Sequence, residues 1–170
     1  ETAMVVVPKG TTLEDAVAAL LREQELTVTT VESCTGGLLA GRLVNVPGVS
    51  EVFKQGFVTY SNKAKRKLVG VKKTTLKEFG AVSDRTAREM AKGAILMTGS
   101  DAAVAVTGIA GPDGGSEEKP VGLVYIAAAV RGQTYVQECH FTGDRAKIRE
   151  SSVAAALTLL RRGILETAEG

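Results

Sequence analysis

Apolar residues recur along the chain at two spacings, one typical of helices and one typical of strands. The first pattern covers residues 12–24 and places apolar side chains at helical intervals, at Leu13, Val17, Leu20 and Leu21. Residues 26–31 are instead β-branched and alternate with other residues, which predicts a strand. The chain therefore begins with a helix that is followed directly by a strand.

The helical and the strand pattern continue to alternate up to the end of the chain. Further helices are predicted over residues 38–44, from Lys63, from the cap residue Ser83 to Gly99, and from Asp144. Further strands are predicted over residues 57–60, 102–106, 121–130 and 134–141, of which the last two form a hairpin. Helices interleaved with strands and one antiparallel hairpin predict an α/β fold, a three-layer α/β/α sandwich with a mixed sheet.

Length and composition predict one domain over residues 1–170, in a reducing, cytoplasmic location. A chain of 170 residues has the usual length of a single domain, and 44 % hydrophobic residues exclude a disordered chain. The longest apolar run, residues 123–130, is far shorter than the roughly 20 residues of a membrane span, and no secretory signal is expected. Two cysteines do not make a disulfide framework.

The first segment with candidate chemistry is the Glu-Ser-Cys-Thr-Gly-Gly sequence of residues 32–37, which lies between a strand and a helix. Open α/β sheets bind ligands at such strand ends, and a helix start offers free N–H groups to an anion or oxyanion. Ser33 is the candidate nucleophile of this turn. The alternative is that Ser33 or Thr35 only caps the helix and that the glycines only permit close packing.

The second segment is Tyr-Ser-Asn-Lys, residues 60–63, which follows another strand. A serine nucleophile needs a base, and a lysine serves when burial or nearby cations lower its pKa. Lys63 is the candidate base, and Tyr60 could relay a proton or orient the amine. The alternative is that Lys63 starts a solvated basic helix.

The third segment is a glycine-rich loop over residues 107–115, and it also follows a strand. Glycines at such a place indicate close approach of the backbone to a ligand, although an irregular turn is the alternative. The loop fits neither the phosphate-binding loop of nucleotide hydrolases nor the dinucleotide-binding fingerprint.

Two further hypotheses remain open from the residues alone. Residues 63–77 contain seven basic and no acidic side chains, which could steer an anionic substrate or bind nucleic acid. Aromatic residues that would stack on bases are missing from that stretch, so nucleic-acid binding is not expected. Cys34 and His140 could in principle form a cysteine hydrolase, although a small buried cysteine is the commoner outcome.

Taken together, the segments resemble the CinA C-terminal domain family. The resemblance is carried by Glu-Ser-Cys-Thr-Gly-Gly (32–37), Val-Thr-Tyr-Ser-Asn-x-x-Lys (58–65), Val-Thr-Gly-Ile-Ala-Gly-Pro (106–112) and Glu-Lys-Pro-Val-Gly (118–122). The ending Phe-Thr-Gly-Asp-Arg (141–145), with Ile148-Arg149, fits as well. It spans about residues 12–165 and implies an amidohydrolase that converts nicotinamide mononucleotide and water to nicotinic acid mononucleotide and ammonia. It also implies that Ser33 is the nucleophile, that Lys63 is the base and that Tyr60 is associated with them.

The hypothesis for the reaction is a serine–lysine amidase that acts on a small-molecule nucleotide. The oxyanion is expected to be held by N–H groups at Thr35 and Gly36. Contacts to phosphate or ribose are assigned to Thr107, Gly108 and Gly111 and to the forked guanidinium of Arg145.

The expected partners and cofactors follow from the same hypothesis. No metal or organic cofactor is expected, nor is a nucleic-acid or membrane partner, and the chain is expected to form a homodimer or a higher homo-oligomer. The alternative function is a non-catalytic nucleotide- or phosphate-binding regulatory module.

Overall fold

A five-stranded mixed sheet forms the centre of the computed structural model, which describes residue 7 and residues 9–168. The strands are Val28–Glu32 (β1), Phe53–Val58 (β2), Ala102–Gly108 (β3), Leu123–Val130 (β4) and Gln133–His140 (β5). Their order across the sheet is β2-β1-β3-β4-β5. β1 runs parallel to both β2 and β3, and β4 runs antiparallel to both β3 and β5.

Helices cover both faces of the sheet, so the fold has three layers. They are Leu13–Glu23 (α1), Leu38–Leu43 (α2), Asn62–Val69 (α3), Lys73–Phe79 (α4), Asp84–Thr98 (α5) and Arg145–Thr167 (α6). Buried residues of α1, α2 and α6 pack on one face of the sheet, and those of α5, with Val69 and Leu76 of α3 and α4, pack on the other. No helix in the described residues is long and apolar enough to cross a membrane.

The predicted three-layer fold with a mixed sheet is confirmed, with two local differences. β2 covers Phe53–Val58 and not the predicted residues 57–60, because Phe53, Gln55 and Gly56 also pair with β1. The register shifts at Lys54, and residues 54–56 are exposed, so the sequence carries no alternating pattern there. The basic stretch forms two helices, because Gly70 ends α3 in a left-handed conformation (φ 70°) that glycine adopts without a steric penalty.

The parallel strands bring three chain segments to one edge of the sheet. Glu32, the last residue of β1, lies opposite Val58 of β2 and Val106 of β3. The segments that follow these strands are therefore neighbours in space, although they are far apart in sequence. Ligands bind at such carboxyl ends in open α/β sheets.

Candidate functional site

A buried carboxylate shapes the turn that leads from β1 into α2. Glu32 is fully buried, and its two carboxylate oxygens accept hydrogen bonds from the backbone N–H groups of Leu39 (2.8 Å) and Ala40 (3.1 Å). These N–H groups belong to the first turn of α2 and have no partner inside the helix. The glutamate thus fixes where the helix starts relative to the strand.

The residues between Glu32 and α2 reverse the chain in a tight turn. Gly36 (φ 55°) and Gly37 (φ 103°) adopt left-handed backbone conformations that other residues rarely reach. The N–H of Ser33 still donates to the carbonyl of Val106 on β3 (2.9 Å), so the sheet extends as far as this serine. Ser33 is therefore held rigidly at the strand end, with 9 % of its surface exposed.

Lys65 contacts the hydroxyl group of Ser33. Its Nζ lies 2.9 Å from Ser33 Oγ and 2.8 Å from the carbonyl oxygen of Thr59, to which it donates. A neutral amine can donate one N–H to that carbonyl and direct its lone pair at the serine hydroxyl. The two contacts thus fit an amine that accepts the proton of Ser33.

The surroundings of Lys65 favour its uncharged form. The side chain is only 2 % exposed, and burial lowers its pKa from the usual 10.5 to about 8. No ion pair with a carboxylate is present at Lys65 in the part of the chain that the structure describes. A base with a pKa near the working pH is well suited to proton transfer.

The predicted contact between Lys63 and Ser33 is wrong, because Lys65 takes that place. Ser61 caps α3, and from this start Lys65 and Val69, four residues apart, face the interior and are buried. Lys63 is two residues before Lys65, about 200° around a helix, and it is exposed. The lysine whose position after Tyr-Ser-Asn suggested a base is therefore on the solvent side.

Tyr60 and Arg145 meet at the mouth of the site. The guanidinium of Arg145, at the start of α6, donates to the Tyr60 hydroxyl (3.0 Å) and to the carbonyl of Gly111 (2.8 Å). Since the tyrosine oxygen accepts this bond, its own O–H is available to a ligand. Arg145 thereby links two other predicted site residues, Tyr60 and Gly111, which come from separate segments.

A cavity of about 250 Å³ opens at Ser33 and Lys65. Tyr60, Thr107, Gly108 and Arg145 line it as well, whereas Gly111 is not among its lining residues. The Thr107 hydroxyl is already engaged, because it donates to the carbonyl of Ala81 (2.8 Å). Thr107 can thus offer a ligand only the remaining lone pair of its hydroxyl oxygen.

The two residues predicted to hold the oxyanion lie in different surroundings. The N–H of Gly36 donates to the carbonyl of Ser33 (3.1 Å), so it is not free to bind an oxyanion. The N–H groups of Cys34 and Thr35 have no acceptor among the described residues. The side chain of Thr35 is fully buried, and its hydroxyl has no hydrogen-bond partner there. The whole of Thr35, backbone included, is inaccessible and does not line the cavity, so neither predicted donor is open to an oxyanion. Cys34 does line the cavity, and its N–H is free.

The alternative pair of Cys34 and His140 is not assembled. His140 is 60 % exposed on β5, where its Nε2 lies 3.0 Å from the Glu138 carboxylate. Cys34 lines the cavity, but burial raises the pKa of its thiol to about 11. The thiol is thus protonated near neutral pH, and the thiolate is the nucleophilic form of cysteine.

Two residues of the site were missed in the sequence. Two signals pointed to Lys65. The cap at Ser61 fixes where α3 starts and therefore which of its residues face the interior. The Tyr-Ser-Asn-x-x-Lys motif ends on Lys65. Arg149 donates to the carbonyl oxygens of Cys34 (3.0 Å) and Thr35 (3.1 Å). It lies one helical turn after Arg145, but no signal in the sequence connects it with the distant turn at Cys34.

Among residue 7 and residues 9–168, no three His, Cys, Asp or Glu side chains are grouped so that they could hold an ion. The polar groups at the cavity are instead a hydroxyl, an amine, a phenol and a guanidinium.

The fold and the site together define a mixed-sheet α/β protein with a buried serine–lysine pair at the carboxyl edge of the sheet. The family model of the CinA C-terminal domain matches residues 10–164, and the chain belongs to this family. The resemblance that the motifs carried is thereby confirmed.

Relatives in sequence and in structure agree with this assignment. A CinA-like protein of Kosmotoga olearia is 54 % identical over 153 residues, which are 90 % of this chain and 37 % of that protein. A competence-damage inducible protein of Clostridium novyi is also 54 % identical, over 154 residues, 91 % of this chain and 37 % of that protein. The chain thus spans little more than a third of the length of these curated relatives.

Solved structures match nearly the whole chain. The competence/damage inducible protein CihA from Agrobacterium tumefaciens superposes with a TM-score of 0.86 at 44 % identity, covering 94 % of this chain and 99 % of that one. A CinA superfamily protein from Escherichia coli gives a TM-score of 0.85 at 37 % identity, covering 94 % and 95 %. The mixed sheet with helices on both faces is thus the fold of this superfamily.

Proposed function

We propose that the chain is an amidohydrolase that converts nicotinamide mononucleotide and water to nicotinic acid mononucleotide and ammonia. The observation that carries the proposal is the 2.9 Å contact between Lys65 Nζ and Ser33 Oγ inside a cavity, with an amine whose pKa is about 8. Such a pair supplies an activated nucleophile without a histidine. The substrate follows from the motifs of the CinA C-terminal domain family.

The reaction passes through an acyl-enzyme. Uncharged Lys65 takes the proton of Ser33 as the serine oxygen attacks the carboxamide carbon, and the oxyanion forms beside the free N–H of Cys34, which lines the cavity. Lys65 then returns the proton to the amide nitrogen, the carbon–nitrogen bond breaks, and ammonia leaves. A water molecule gives a proton to Lys65 and attacks the ester, and the proton goes back to Ser33 as the acid is released.

The outer part of the cavity suits the ribose phosphate of the substrate. Arg145 presents a fixed guanidinium whose planar fork matches a phosphate, and Tyr60 offers a hydroxyl next to it. Gly108 also lines the cavity, and it is a glycine because a side chain there would collide with the first two residues of β4. We assign phosphate and ribose to this side, opposite the Ser33–Lys65 pair.

The test of the proposed function is one incubation with nicotinamide mononucleotide. We expect equimolar ammonia and nicotinic acid mononucleotide, the first measured by a coupled assay and the second by chromatography. Nicotinamide riboside and free nicotinamide, which both lack the phosphate, are the control substrates that show whether turnover requires it. Binding of the nucleotide without any product in the wild-type protein would instead identify a non-catalytic binding module.

The rate is expected to depend on pH through Lys65. Burial lowers the pKa of this amine, so protonation below pH 8 removes the base, and kcat/KM should rise about 25-fold between pH 6.5 and 8.5. Measurements above pH 6.5 also avoid most of the titration of the substrate phosphate, whose pKa is about 6. The Lys63→Met variant should follow the same profile, and a flat profile in the wild type would contradict a lysine base.

A further inference from the structure

Hydrogen bonds at three consecutive carbonyl groups fix the segment of residues 79–82, which leads from α4 to α5. The carbonyl oxygens of Phe79, Gly80 and Ala81 all accept from side chains. The donors, in the order of these carbonyls, are Lys119, then Ser83 (2.9 Å) and Thr86 (2.7 Å), and then Thr107 (2.8 Å). The segment is thus anchored by the start of α5, by the end of β3 and by the loop that precedes β4.

The 79–82 segment forms most of the aliphatic wall of the catalytic cavity. The aliphatic residues among those that line the cavity are Ala81, Val82 and Ala110, and two of the three belong to the segment. Val82 is partly buried, and of the three it alone carries side-chain atoms beyond Cβ. Its isopropyl group therefore sets how much room remains beside this wall.

The proposed reaction places the ring of the substrate against this wall. The carboxamide carbon must reach Ser33 Oγ, and the phosphate is assigned to Arg145 at the mouth, so the ring lies in the cavity between them. Polar groups of a binding site orient a ligand at a few points, and aliphatic side chains cover its carbon surface. The ring carbons are accordingly expected to pack on Val82.

We propose that Val82 is a specificity-determining residue, which limits the acyl ring to one without a substituent on the side that faces the wall. The inference rests on the proposed function. Because three successive carbonyl groups of the segment are tied by hydrogen bonds, the wall moves aside for a larger ring only by breaking them. A methyl group added to that side of the ring must then collide with the isopropyl group of Val82.

The kinetic experiment compares nicotinamide mononucleotide with its ring-methylated forms, one for each free ring carbon, in the wild type and in Val82→Ala. One methyl group in an apolar pocket changes kcat/KM by about 10- to 200-fold. We expect the wild type to disfavour at least one methylated form by about 10-fold or more, and Val82→Ala to remove most of that difference. The effect of the methyl group on the chemistry of the amide is the same in both proteins, so the change between them reports the pocket.

Two further variants are the controls. Val82→Thr keeps the branched shape, so it should keep the wild-type discrimination between methylated and unmethylated nucleotide, whatever its absolute rate. Val44 is a 57 % exposed valine at the end of α2 and is not among the residues that line the cavity. Val44→Ala should match the wild type in both rate and discrimination.

Binding provides a readout that does not need turnover, and calorimetry should show the same change of preference in Val82→Ala. A wild type that binds the nucleotide and releases no ammonia would refute the proposed function and still leave this test of Val82. A wild type that neither binds nor converts any of the nucleotides would overturn both proposals. Equal acceptance of all methylated forms by the wild type, or a preference that Val82→Ala leaves unchanged or Val82→Thr abolishes, would overturn the inference alone.

Discussion

Replacing Lys65 with methionine is expected to abolish ammonia release, whereas the same replacement of Lys63 should leave it nearly unchanged. Lys65 is the amine within 2.9 Å of Ser33 Oγ, and Lys63 is exposed on the other side of α3. Loss of a general base costs about 10²- to 10⁴-fold in rate, and here Ser33 also loses its activation. The measurement is kcat for nicotinamide mononucleotide in both variants.

Methionine is chosen because it keeps the unbranched shape of the lysine side chain and removes only the amine. The carbonyl of Thr59 loses the hydrogen bond from Lys65, so the midpoint of thermal unfolding is measured for both variants. A folded but inactive Lys65→Met protein beside an active Lys63→Met protein is the expected pair of results. The reverse pair would mean that the base is Lys63 and that Lys65 has a structural role.

The Ser33→Ala variant should lose essentially all turnover, by about 10⁴-fold or more, while Cys34→Ala should stay within about threefold of the wild type. Ser33 Oγ is the oxygen that contacts the base, so its removal leaves no nucleophile at the cavity. Cys34 carries a protonated thiol, because burial raises its pKa to about 11. Steady-state kinetics with nicotinamide mononucleotide distinguish the two residues.

Mass spectrometry provides the control for this prediction. After rapid quenching, the wild type should carry the mass of the acyl group on the peptide that contains Ser33, and the Ser33→Ala protein should not. Both variants change a small side chain, and unfolding midpoints will show whether the fold is kept. Turnover that survives Ser33→Ala and disappears in Cys34→Ala would identify the cysteine as nucleophile.

The site is built mainly from the backbone ends of three parallel strands. Glu32 lies opposite residues of both neighbouring strands, so Ser33, the Thr59–Tyr60 segment and Gly108 meet although up to 75 positions separate them. The turn at Ser33 is fixed from one side by the Glu32 carboxylate and from the other by Arg149. This double anchoring suits a site whose donors must be in place before the substrate binds.

Local sequence signals determined most of the fold. Cap residues such as Ser83 and Asp144, the helical spacing of apolar residues and the β-branched runs are properties of short segments, and the structure confirms the elements they predict. The motif around Ser33 likewise marked the strand–turn–helix unit, because glycines at positions 36 and 37 are needed wherever the chain turns so sharply. Such features depend on neighbours a few residues away.

Only the tertiary structure decided which lysine meets the serine and what holds the turn in place. Lys63 and Lys65 have the same chemistry and nearly the same position, and the packing of α3 against α5, with Val69 buried, selects the second. Arg149 reaches Cys34 across 115 positions of sequence, a contact that no local pattern encodes. Burial is a property of the assembled layers, and it is burial that lowers the pKa of Lys65 and makes this amine a candidate base.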